Sequence, residues 1–240
     1  METLGHPHIT GLIVLAVVLT GATYWAIHAI GTDQAGATRP TGAKLKLAGV
    51  LLVWFAIDFL LVYNAVMEAG RADLGPPNVA TGMLIPVIVG IFLLTRPRIG
   101  RLADAVPLAW LAGFHGLRVV FGIFFLARYE LGTLPAAFAF RGGYGDIAAG
   151  VLGGLTAFLI LLNAGPAVVR VAIVLFSIVG LGDLVLVFYT AATTLPPAGP
   201  NPPFNSFLLI PIFAVPLFIL THFIVLRLFF RDMGWTRAKP

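Results

Sequence analysis

The 240-residue chain has no cysteine, which excludes disulfides, thiol nucleophiles and thiolate metal sites. Charge is scarce as well: 10% of residues are Asp, Glu, Lys or Arg, against 59% hydrophobic. Serine occurs only at Ser177 and Ser206. Neither lies in a Gly-x-Ser-x-Gly setting, so a serine hydrolase built on a nucleophile elbow is excluded. No stretch is long and polar enough to fold as a separate soluble domain.

What remains is apolar sequence in runs of membrane-spanning length. The predicted fold is all-α: a polytopic bundle of seven transmembrane helices, near 11–30, 46–66, 79–95, 106–127, 145–163, 167–190 and 207–229. Breakers mark the turns at Gly75-Pro76-Pro77, at Asn163-Ala164-Gly165-Pro166 and from Leu195 to Pro200. Pro86 interrupts the short third span. The first span lacks a basic n-region and a small-residue cleavage site, so it reads as a retained helix, not a signal peptide. The whole chain, 1–240, reads as a single transmembrane domain.

The formal net charge of +5 is loop charge on this reading, and nucleic acid is not an expected partner. Seven spans place Arg39, Lys44, Lys46, Arg96, Arg98, Arg101, Arg170, Arg227, Arg231, Arg237 and Lys239 on one side. Arg71, Arg128 and Arg141 fall on the other. The positive-inside rule makes the rich side cytoplasmic, with the N-terminus outside and the C-terminus inside. A retinal protein would share this layout, but the seventh span has no lysine to form the Schiff base.

Two strings read alike. Ala56-Ile57-Asp58-Phe59-Leu60 is echoed by Leu181-Gly182-Asp183-Leu184-Val185, and Leu84-Ile85-Pro86 by Leu209-Ile210-Pro211, at one offset of 125 positions. A parallel three-plus-one-plus-three repeat would account for this, with halves 11–95 and 145–229 joined by a linker helix, 106–127. That arrangement resembles the SWEET-type sugar transporters and the nicotinamide riboside transporters at the level of architecture. None of their substrate motifs is present.

Each copy puts an aspartate into hydrocarbon, where a carboxylate is costly and usually functional. At about 1.5 Å per residue, Asp58 and Asp183 lie roughly 18–20 Å from the cytoplasmic ends of their helices. Arg118, on the linker helix, lies at nearly that depth, and its planar fork suits a carboxylate. Asp58, Arg118 and Asp183, with Tyr63 and Asn64 lining the approach, are the expected pathway for a small solute or ion. Asp146 and Asp183 lie almost equally far on either side of the Ala164-Gly165 turn, so an antiparallel hairpin also puts these two at similar depth.

Gly180-Leu181-Gly182-Asp183 and Gly143-Tyr144-Gly145-Asp146 resemble the signature of the GxGD intramembrane aspartyl proteases. The resemblance implies Asp146 and Asp183 as a catalytic pair sharing a proton. That family's Tyr-Asp partner and Pro-Ala-Leu motif are missing, and its members have more helices.

Gly132-Thr133-Leu134-Pro135, Phe138-Ala139-Phe140 and the glycines before Asp146 look similar to a pattern in uncharacterised small bacterial membrane proteins. The likeness extends to the Gly-Asp-Leu of the sixth span and to Pro211, Pro216 and His222 in the seventh. It implies a multi-pass protein of the bacterial inner membrane, alone as a homo-oligomer or as a subunit of a membrane complex, and no particular activity.

His115, which shares a face with Arg118, and His222 would be the axial pair if the chain bound haem b; otherwise no cofactor is expected. His6-Pro7-His8 reads as an incidental terminal pair, so no metal site is expected. Glu68, Asp73, Arg128, Glu130, Arg141 and Asp146 read as a solvated outer rim.

Overall fold

A computed structural model of the chain describes residues 49–58, 60, 76–104, 106–194 and 210–232. The first predicted span, 11–30, the His6/His8 pair, Tyr63, Asn64, Glu68 and Asp73 all lie outside the described residues.

Among the described residues every regular element is helical. The elements are α1, Gly49–Asp58; α2, Pro76–Leu94; α3, Pro97–Asp104; α4, Leu108–Phe114; α5, Leu117–Glu130; α6, Ala136–Leu161; α7, Pro166–Thr194; a π turn, Ile210–Ala214; and α8, Val215–Asp232.

Proline starts most of these helices. Pro76, Pro97 and Pro166 are first residues, and Pro107 and Pro135 immediately precede α4 and α6. There the missing N–H costs nothing and φ is already helical. α5 and α6 end alike. Gly132 (φ 66°) and Asn163 (φ 53°) turn left-handed, with Thr133 N donating to Arg128 O and Ala164 N to Leu159 O, both at 3.0 Å. These are the closing bonds of a Schellman stop.

Two expectations are corrected and one is refined. α6 begins at Ala136, not near 145, because Pro135 can open a helix, so Asp146 sits well inside it. The span expected over 106–127 is present as Leu108–Glu130, with a tight turn inside it between α4 and α5. At their junction His115 N bonds to Ala112 O, and Arg118 N to His115 O, the tighter i to i−3 pattern. Pro86, expected to interrupt its span, lies inside the continuous α2.

The chain divides into two compact units, up to Ile88 with 196–217, and 89–195 with 218–240. In the first, Met83, Val87, Ile212, Phe213 and Ala214 are buried. Trp54 and Phe55 meet the Phe213 ring edge-on at 5.0 and 5.4 Å. In the second, α6 packs against α7, α5 and α4. A stripe of small buried residues on α6, Gly143, Ala149, Gly150, Gly153 and Ala157, permits this close approach: a Cβ at Gly150 would stand 2.8 Å from Val119 N.

This second unit exposes large apolar side chains and buries several charged and polar ones within an apolar core. Val185, Ile178 and Leu161 are each more than 60% exposed, while Arg118, His115 and His222 are fully buried. Such a surface suits hydrocarbon, not water. Among the described residues, four helical stretches are long and apolar enough to cross a membrane: Leu108–Glu130, Ala136–Leu161, Pro166–Thr194 and Ile210–Asp232.

Candidate functional site

The centre of the second unit is Arg118. It is the second residue of α5, just after the tight turn that follows α4, and all three guanidinium nitrogens are used. Nε donates to Asp146 Oδ1 on α6 at 2.7 Å. Nη1 donates to Gly180 O on α7 at 3.0 Å. Nη2 donates to Asp183 Oδ2, also on α7. The Phe218 ring of α8 lies 5.6 Å from the guanidinium carbon, within cation–π range. Arginine suits this position because its fork is rigid and its charge permanent.

The glycines of the two Gly-x-Gly-Asp strings have visible tasks. Gly145 carries the Asp183 carboxylate directly against its Cα, where a Cβ would overlap it. At Gly180 a Cβ would stand 2.7 Å from His222 Cε1 and 3.4 Å from Arg118 Nη1. Gly182, by contrast, faces open space. The strings therefore seat a carboxylate, an imidazole and a guanidinium.

Next to the cluster stand two histidines in contact, with ring centroids 4.2 Å apart. Phe176 lies 4.8 Å from His115 and 4.5 Å from His222. His115 Nε2 is 2.9 Å from Thr221 Oγ1. That hydroxyl also lies 3.0 Å from Phe218 O, to which it can donate. The roles of the ring nitrogens depend on the tautomer: as the Nε2–H form, His115 donates to this hydroxyl and keeps a lone pair on Nδ1. Four polar atoms here are buried with no hydrogen-bond partner among the described residues: His115 Nδ1, His222 Nδ1, His222 Nε2 and Ser177 Oγ.

The geometry sorts the expected site residues. Arg118, Asp146 and Asp183 come together, and His115 and His222 adjoin them. Asp146 is not a rim residue but 7% exposed. Arg128 is also buried, whereas Glu130 and Arg141 are exposed. Asp58 is buried in the other unit, with Oδ2 unpartnered among the described residues. Sequence reasoning did not anticipate Ser177 and Thr221. Their signal was helical spacing, Ser177 three positions before Gly180 and Thr221 beside His222.

Two chemistries can be weighed on this geometry. A haem needs its axial histidines on opposite sides of the iron; His115 and His222 touch ring to ring and do not fit that arrangement. An aspartyl dyad needs one proton shared between its carboxylates. Here one guanidinium donates to an oxygen of each carboxylate. Among the described residues no group of three or more His, Cys, Asp or Glu side chains could hold a metal ion.

Transmembrane helices around a buried, paired arginine define a membrane protein with an ionic interior. Residues 76–230 match the family described as "Domain of unknown function (DUF8737)". That segment is more than half of the chain, and the protein belongs to this family. It includes Arg118, Asp146, Asp183, His115 and His222, and begins after Asp58. No curated protein and no solved structure matches the chain.

Proposed function

We propose that the protein is a multi-pass transporter or channel of a bacterial inner membrane, with seven spans and a cytoplasmic C-terminus. It moves a small solute or ion past a polar centre of Arg118, Asp146 and Asp183. The observation that carries this reading is charge: two buried carboxylates share one guanidinium. With both ionised, the cluster holds one negative charge in excess. A desolvated excess charge is costly. A centre of this kind lowers that cost by binding a cation or a proton, and it can release either one again. A purely structural ion pair has no use for the second carboxylate.

The intramembrane enzyme reading, on Asp146 and Asp183, is weaker because Arg118 occupies the place of the shared proton. Asp58, a buried carboxylate on α1, is retained as a second station of the pathway.

The test is electrical. Purified protein in liposomes on a solid-supported membrane is challenged with jumps in Na+, K+, H+ and a panel of small sugars and amino acids. Currents in the wild type that vanish in Asp146→Asn and Asp183→Asn, at equal protein level, support the proposal. Wild-type currents in both variants, or none from the wild type, overturn it.

A further inference from the structure

The polar atoms of the second unit extend well beyond the arginine cluster. The buried face of α7 carries Ser177, Gly180, Asp183 and Thr190. At the Thr190 end, Arg141 Nη1 is 3.5 Å from Thr190 Oγ1. At the other end, Thr156 Oγ1 of α6 donates to Leu152 O at 2.7 Å and reaches Ala172 O of α7 at 3.4 Å. From Ala172 to Thr190 the helix rises roughly 27 Å at ~1.5 Å per residue, close to the ~30 Å of a bilayer's hydrocarbon. Between these ends lie the two carboxylates, then His222 against Gly180, then His115 against His222.

We propose that this column is a proton path, in which His222 and His115 carry the proton between the Arg118-bound aspartates and the Thr156 end. The proposal rests on the transport reading and names its ion. Native interiors leave few buried polar atoms unpaired. Here four orphans fall on three neighbouring side chains, and all belong to groups that accept or donate protons. An unpaired buried nitrogen costs about 1–3 kcal/mol, so two histidines are a poor choice where only an aromatic filler is needed. The charged and titratable groups around the pair are Arg118 from α5, Asp146 from α6 and Asp183 from α7. None of them bonds a histidine nitrogen.

The transfer needs no other reagent. A proton held on Asp183 as a carboxylic O–H passes to a ring nitrogen of His222. The O–H bond breaks, its electrons stay on the carboxylate, and an N–H bond forms, giving an imidazolium. His222 gives up the hydrogen of its other nitrogen to the bare His115 Nδ1 and becomes neutral. His115 then releases a proton to water at the Thr156 end. One proton has moved; Asp183 is left as a carboxylate, to be reprotonated from the Thr190 end, and each ring holds its remaining hydrogen on the other nitrogen until that hydrogen exchanges.

The experiment uses full-length protein in liposomes containing pyranine, with an imposed pH step and valinomycin to hold the potential. His222→Phe keeps the ring's shape and deletes both nitrogens. His222→Gln keeps hydrogen-bonding groups but does not titrate, and it serves if the phenylalanine variant fails to fold. Both variants are expected to slow acidification at least tenfold, and Ser177→Ala more mildly. Flux within twofold of wild type in either folded variant, or a wild type no leakier than empty liposomes, overturns the proton path. Solute currents that persist in such a case leave the transport reading standing. Undiminished currents in Asp146→Asn and Asp183→Asn would sink that reading instead.

Discussion

Asp58 and Asp183 occupy matching strings, and their surroundings differ. Asp183 is bonded by Arg118 and lies against Gly145. Asp58 lies on α1 with a buried Oδ2 that is unpartnered among the described residues. The prolines that follow them differ too. Pro86 sits within the continuous α2, and Pro211 within a π turn. Equal strings therefore do not hold equal roles. A buried carboxylate takes its character from what faces it, and facing is set by helix rotation, which five residues of similarity do not encode.

The largest expected effect falls on Arg118. Arg118→Ala leaves two carboxylates buried without their cation, a loss of about 3–5 kcal/mol, and thermal unfolding in detergent should show little folded protein. If Arg118→Ala is no worse than Asp58→Asn, the two regions are not distinct.

Next come the glycines. Gly145→Ala should cost about 2 kcal/mol or more, since the new Cβ displaces a bonded carboxylate. Gly182→Ala, facing open space, should be neutral or stabilising by up to about 1 kcal/mol. Equal melting temperatures for the pair would refute the seating role.

The aspartates sharpen the contrast directly. Asp183→Asn weakens a charge-assisted bond and should cost about 1.5–3 kcal/mol. Asp58→Asn removes a buried carboxylate whose Oδ2 has no partner among the described residues and should raise the melting temperature or leave it unchanged. Opposite signs in denaturation curves support the comparison; equal losses remove it.

The smallest effect is expected at the helix ends. Arg227 holds Asp104 at 2.8 Å and Leu94 O at 2.9 Å, but its side chain is 42% exposed. Arg227→Ala should cost under about 1 kcal/mol by the same melting assay.

Much of the architecture was legible because proline and turn residues punctuate apolar runs. The turn at Asn163-Ala164-Gly165-Pro166 was legible, and Arg118 bonds Asp146 on one side of it and Asp183 on the other. His115 and Arg118 were placed on one face by spacing alone. The start of α6 was missed because glycines 142, 143 and 145 look like a loop when they are a packing surface. The sequence left Asp58 and Asp146 both open as partners of Asp183, because string similarity and hairpin geometry point to different residues. The α4–α5 junction left no breaker proline to find, only the His115-Gly116 pair, and a single glycine does not announce a break.

The contact of Gly145 with the Asp183 carboxylate has a consequence for reading other sequences. Gly-x-Gly-Asp spells two different objects: a proton-sharing dyad, and a pair of carboxylate seats for a guanidinium from a third helix. A search on the tetrapeptide alone would pool them. An arginine on a neighbouring span at the same depth is the feature that separates one from the other.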